Sequence, residues 1–200
     1  MAHKFAEIAF TPNVKKKQEL QGSRRSYERV EQGAAGNDVL GSNEADYIAE
    51  RDSFYMATVS ETGWPYIQHR GGPIGFLRVL DGKTIGFADF RGNRQYVSVG
   101  NLANDDRVSL ILVDYPNRSR LKLLGRARLV GLEDRDMLER LALPGYKAVV
   151  ERGIIITVGA FDWNCPQHIT PRFSLAEIEA ATAPLHRRIA ELEAEPQARD

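Results

Sequence analysis

The stretch Phe76-Leu77-Arg78-Val79-Leu80, Asp81-Gly82-Lys83, Thr84-Ile85-Gly86-Phe87-Ala88-Asp89-Phe90 decides the fold class. Two short apolar runs flank an Asp-Gly pair, the strongest short-range signal for a β-hairpin. The same grammar repeats along the chain. Phe54 to Ser60 and Pro65 to Arg70 are strands joined by a turn at Glu61-Thr62-Gly63. Arg107 to Asp114, Arg120 to Val130 and Gly153 to Asp162 read as three more. Two helices interrupt the series, at Asn93 to Leu102 and from Glu133 to Leu141 or beyond. About seven strands with so few helices between them predict an antiparallel β-barrel, mainly β with peripheral helices.

The flanks differ in character. Residues 1–43 form a polar arm with one short helix expected near 13–21 and a basic cluster at Lys15, Lys16 and Lys17, read as a solvated face. Ser42 or Asn43 is expected to cap a helix over 44–51. The main domain is expected over 44–173, and 174–200 is a helical tail. There Ser174 and Glu177 form a capping box, and Leu175, Ile178, Thr182, Leu185, Ile189 and Leu192 draw one apolar stripe. Pro184 is expected to kink or split this helix near Ala183.

Among 200 residues, 27 basic side chains balance 27 acidic ones, which speaks against non-specific nucleic-acid binding. No run approaches a membrane span, and the N-terminus lacks the pattern of a signal peptide, so a soluble, cytoplasmic protein is expected. One cysteine, Cys165, and four scattered histidines make neither a disulfide framework nor a zinc site. The dinucleotide, P-loop, zincin and nucleophile-elbow signatures are absent.

Four polar clusters remain. Gln68-His69-Arg70-Gly71-Gly72 ends a strand in two glycines, which permit close approach of a ligand or simply a bulge. His69 and Arg70 face opposite ways, so one ligand meets only one of them. Asp89, Asn93, Arg94 and Gln95 lie where a strand turns into a helix, and an arginine at a helix start suits a bound phosphate. Arg120 and Lys122 share one face of the following strand, toward a cleft or toward water. Finally Asp162-Trp163-Asn164-Cys165-Pro166-Gln167-His168-Ile169-Thr170-Pro171 concentrates an indole, a thiol, a carboxamide and an imidazole between prolines. It reads as a wall for a flat, polar-edged ligand, with the indole covering the ligand and donating its N–H, or else as a structural corner.

The run from Thr84 through Asn93-Arg94-Gln95 to Asn104-Asp105-Asp106-Arg107-Val108-Ser109-Leu110, with Gly125 to Leu129 and Trp163, resembles the pyridoxamine 5′-phosphate oxidase superfamily over about residues 45–172. The resemblance implies an FMN-binding split β-barrel and a homodimer with FMN touched by both chains. It implies Gln68, His69, Arg70, Gly71 and Gly72 along the ring and ribityl chain, and Arg94 and Gln95 at the phosphate. The oxidase carries lysine at the Gln95 position. Arg120 falls where the oxidase has a flavin-contacting glutamine, with Lys122 on the same face; Trp163, from the partner chain, matches a flavin-contacting tryptophan, and Arg172 lies near the place of a flavin-contacting arginine. The turn from Trp163 to His168, with Gln167, is read as the flavin's partner-side wall. The oxidase segment that holds the substrate phosphate after the tryptophan is replaced by Asn164 to His168, so vitamin B6 oxidation is not expected. The expectation is an FMN-dependent oxidoreductase acting on an unknown small substrate. A non-catalytic FMN carrier or redox sensor is the alternative, and a haem or deazaflavin protein of the same fold is a third.

Overall fold

The computed structural model describes residues 3–33, 36–163 and 166–194. In chain order the elements are α1 (Lys4–Ala9), α2 (Pro12–Leu20), α3 (Arg24–Glu31), α4 (Ser42–Ala49), β1 (Ser53–Val59), β2 (Pro65–Gly71), β3 (Arg78–Asp81) and β4 (Thr84–Phe90). Then follow α5 (Val97–Asn104), β5 (Arg107–Asp114), β6 (Ser119–Val130), α6 (Arg135–Leu141), β7 (Val150–Trp163) and α7 (Leu175–Ala194). The strands make one seven-stranded sheet in the order β2-β1-β5-β6-β7-β4-β3, antiparallel at every pairing whose register is resolved. The fold is mainly β with peripheral helices, as the strand spacing predicts, and is the split barrel that the resemblance implies.

Each turn forms where its residues allow it. Gly63 takes φ 86° and donates its N–H to the Ser60 carbonyl, closing the β1–β2 hairpin. The Asp81 carboxylate accepts the Lys83 N–H at 2.8 Å, closing the β3–β4 hairpin. The core fills from strands and the loop before β3: Phe54 of β1, Phe87 of β4 and Phe76 form an aromatic cluster, with Phe54 stacked on Phe76 at 5.6 Å between ring centres.

Between β6 and β7 the register shifts after Leu124↔Ala160 to Gly125↔Val158, so Gly159 is the extra residue of a bulge. A Cβ on Gly125 would stand 2.6 Å from the Thr157 carbonyl oxygen. Glycine there lets β7 come close, and the shift sets Trp163 opposite Leu121 at the far end of the ladder.

Four local expectations need correction. The N-terminal arm carries three helices rather than one, because His3 caps α1 and Thr11, followed by Pro12, caps α2. Its end is tied to the sheet: the Leu40 N–H bonds the Gly82 carbonyl at 2.7 Å and the Phe161 N–H bonds the Asn37 carbonyl at 2.6 Å. The cap of α4 is Gly41, not Ser42 or Asn43, with the Glu44 carboxylate accepting the Gly41 N–H at 3.0 Å. The helix expected from Asn93 starts at Val97, because Arg94 and Tyr96 take φ of 61° and 54°, outside the helical region. And α7 is not split at Pro184 but runs through it as one helix.

The chain divides into two compact units. Among the described residues, the first runs to Val113 and resumes over 120–163. The second comprises Asp114–Ser119 and 166–194. Within the second, the Asp114 carboxylate accepts the Asn117 N–H and side-chain amide, Arg172 stacks on Tyr115 at 4.8 Å, and Ser174 and Glu177 form the expected capping box. None of the described residues of α7 is buried, and Leu175, Ile178, Leu185, Ile189 and Leu192 are exposed.

Candidate functional site

Strand β2 alternates exposed and half-buried residues, which turns Gln68 and Arg70 to one face and Ile67 and His69 to the other. On the first face Arg70 Nη1 donates to Asp89 Oδ1 at 2.6 Å, and Asp89 is buried at the end of β4. Register brings Arg152 of β7 opposite Asp89, with Arg152 Nε 3.5 Å from Oδ2. Burial pushes the Asp89 carboxyl up from its ordinary range, and the charges of Arg70 and Arg152 offset only part of that.

The loop before α5 completes the cluster. Asn93 Oδ1 accepts the Gln95 N–H at 3.2 Å, an Asx-type turn rather than a helix cap. Arg94 Nε donates to the Tyr96 hydroxyl at 3.1 Å, and that hydroxyl donates to Glu151 Oε1 at 3.2 Å. Arg91 and Arg152 also bond Glu151, each at 3.0 Å. Burial pushes Glu151 up, but the bonds from Arg91 and Tyr96 and the Arg152 charge outweigh it and hold the carboxyl below its usual range. Four guanidiniums thus meet two carboxylates, leaving the cluster with an excess of positive charge.

A pocket of about 40 Å³ opens among Gln68, Arg70, Asp89, Arg94, Tyr96 and Ser98. That is about three times the space one water needs, suited to a small anionic group. Ser98, in the first turn of α5, donates its hydroxyl to Gln68 Oε1 at 2.9 Å, which fixes the Gln68 amide. The first N–H groups of α5 add their partial positive charge to the same wall. Two guanidinium nitrogens in the cluster, Arg70 Nε and Arg152 Nε, are buried with no hydrogen-bond acceptor among the described residues.

The pocket therefore joins Gln68, Arg70, Asp89, Asn93 and Arg94, five of the residues singled out from sequence. The sequence reading missed Tyr96, Glu151 and Arg152: their signal is only the β4–β7 register and the left-handed loop.

The other candidates lie elsewhere. His69 sets its ring against Tyr55 at 5.5 Å, on the opposite face of β2. Gln95 is exposed in the loop. The bare faces of Gly71 and Gly72 are filled from within: a Cβ would stand 3.0 Å from the His69 ring and 2.9 Å from Phe76. Lys122 pairs with Asp162 at 2.9 Å and lies 4.7 Å over the Phe5 ring of α1; Arg120 is the second residue of the same strand. Trp163 ends β7, its Nε1–H donated to Glu44 at 2.8 Å and its ring edge-to-face with Tyr47. The indole N–H expected to meet a ligand is thus already engaged. Gln167 is exposed in a turn of the second unit, and Arg172 stacks on Tyr115 there. Asn164 and Cys165 lie outside the described residues. Among the described residues no group of three His, Cys, Asp or Glu side chains can hold a metal, and no helix is long and apolar enough to cross a membrane.

The sequence profile of the pyridoxamine 5′-phosphate oxidase family matches residues 42–155, from the start of α4 into β7. The chain belongs to this family. The matched span contains every residue of the pocket. Among solved structures, HupZ of Group A Streptococcus is similar at 17% identity and a TM-score of 0.51, with 67% of this chain and 99% of that one covered. That likeness is one of fold. A protein related to general stress protein 26 from Clostridium acetobutylicum aligns at 19% identity and TM-score 0.46, over 68% of this chain and 94% of that one. An FMN-binding protein from Syntrophomonas wolfei aligns at 15% identity and TM-score 0.43, over 74% and 97%. No curated protein sequence matches the chain significantly.

Proposed function

We propose that this protein binds FMN and works as an oxidoreductase on a small substrate, as a homodimer whose flavin site draws on both copies. The observation that carries the reading is the Arg70 guanidinium: half-buried, paired with Asp89 on one side, and with a buried Nε–H that has no acceptor among the described residues at the wall of an anion-sized pocket. A buried donor without a partner costs about 1–3 kcal/mol, and a phosphate oxygen is the acceptor that would remove this cost. The residues present therefore fit the phosphate end of FMN, with Arg70 and Arg94 as its cationic ligands and the start of α5 behind it. The pocket has room for that end alone, so the ring lies beyond it.

When bound, FMN supplies hydride transfer. The chain's own residues orient it: Ser98 holds Gln68, Tyr96 holds Arg94, and Glu151 holds Tyr96. An open, largely apolar groove of about 560 Å³ across β1, β5, β6 and β7, with Ile67 exposed on the neighbouring strand, supports the dimer part of the reading. The segment after Trp163 lacks the oxidases' phosphate-holding run, which turns the reading away from vitamin B6 as substrate.

The test is an absorbance spectrum of the purified protein, with release and identification of the bound species. Flavin bands and released FMN are expected; protein without flavin bands that fails to take up added FMN overturns the reading. Reduction of the bound flavin by a nicotinamide then separates an oxidoreductase from a carrier.

A further inference from the structure

Trp163 is held by an assembly that spans the start of α4 and the end of β7. Its indole Nε1–H is donated to Glu44 Oε1 at 2.8 Å, while Glu44 Oε2 accepts the Gly41 N–H at 3.0 Å. Tyr47, three residues further along α4, meets the indole edge-to-face with 4.7 Å between ring centres. Tyr47 is fixed in turn by its hydroxyl bond to the Leu112 carbonyl at 3.3 Å and by the Arg51 guanidinium 4.6 Å over its ring. Glu44 and Tyr47 share one face of α4 and Arg51 follows just past its end, so one short stretch of chain carries the whole clamp. Trp163 nevertheless remains 40% exposed.

An indole has one donor and no acceptor. With that donor engaged by Glu44, Trp163 presents only its ring to anything that approaches. We propose that Glu44 is a positioning residue: it fixes the Trp163 indole so that the ring, and not the N–H, meets a planar ligand. Fixing the ring beforehand removes the side-chain entropy that binding would otherwise cost. The planar ligand rests on the flavin reading above; the anchoring of Trp163 does not.

The test uses the Trp64→Phe background, in which Trp163 is the sole tryptophan, and needs no ligand in its first arm. Glu44→Ala is expected to red-shift the Trp163 emission and lower its anisotropy; unchanged emission and anisotropy overturn the anchoring. The second arm measures FMN affinity in a cycle of Glu44→Ala and Trp163→Phe. Loss of the clamp is expected to weaken FMN about two- to tenfold in the parent and leave the Trp163→Phe protein unaffected by the second change. An equal loss in both backgrounds shows that Glu44 only caps α4, and overturns the proposal. If the parent takes up no FMN the flavin reading falls, and the emission arm alone decides the anchoring.

Discussion

Replacing Arg70 by Gln tests the anion pocket where its chemistry is most specific. Arg70 has only 12% of its side chain exposed, donates to Asp89 at 2.6 Å and keeps a buried Nε–H without an acceptor among the described residues. Two effects follow from the change. In the free protein, Asp89 loses its nearer cation and retains Arg152 at 3.5 Å, so the variant is destabilised. In the complex, a charge-assisted bond to the phosphate is lost, worth about 1.5–3 kcal/mol, or roughly 10- to 150-fold in affinity. Riboflavin lacks the phosphate but meets the same altered protein, so the ratio of the two affinities cancels the first effect. Fluorescence titration of both flavins is the assay. FMN is expected to lose its advantage over riboflavin by that factor in Arg70→Gln, and by a smaller one in Arg94→Ala, because Arg94 is exposed and water replaces it. Equal losses for both flavins, or a larger phosphate-specific loss at Arg94 than at Arg70, would refute the assignment of the buried guanidinium to the phosphate.

Gly125→Ala forces a methyl to within 2.6 Å of the Thr157 carbonyl and 2.8 Å of Ile156, and should cost about 1–3 kcal/mol, roughly 2–4 °C of melting temperature per kcal/mol. A melting temperature equal to that of the parent would show that the bulge tolerates a Cβ. Because burial raises the Asp89 carboxyl, the folded state keeps its proton to higher pH than the unfolded chain does. The stability this residue contributes is therefore complete below the ordinary carboxylate pKa and declines as pH rises through the folded value. Urea midpoints measured from about pH 4 to 7 should then move in favour of Asp89→Asn relative to the parent as pH rises, and parallel curves would contradict the direction of the shift. Pro184→Ala restores a backbone donor inside α7 and should increase helical circular dichroism; no increase would mean that the proline costs the helix nothing. Sedimentation of the FMN-loaded protein should give a dimer, and a fully loaded monomer would remove the second copy from the site.

Strand positions were legible in the sequence because they rest on local rules. Apolar runs of strand length broken by Asp-Gly or Thr-Gly turns fix where the chain extends and reverses, whatever packs against it. The same locality made the Ser174–Glu177 cap readable, since both partners lie within one helical turn. Alternation along β2 fixed that His69 and Arg70 face apart. Other features depended on contacts across the fold. The left-handed Arg94 and Tyr96, and the helix start they delay, are held by Glu151, some 55 residues distant in the chain from Tyr96. The charge of the pocket depends on Arg152, which reaches Asp89 only through the β4–β7 register. The indole N–H of Trp163 looked available for a ligand until α4 brought Glu44 to it across 119 residues of sequence. Sequence alone thus determined the strands, the turns and which side chains carry charge, because short-range sterics and periodicity decide them. Tertiary structure decided which charges converge and which donors are already satisfied, because hydrogen-bond partners in a sheet are chosen by register and packing rather than by proximity in the chain.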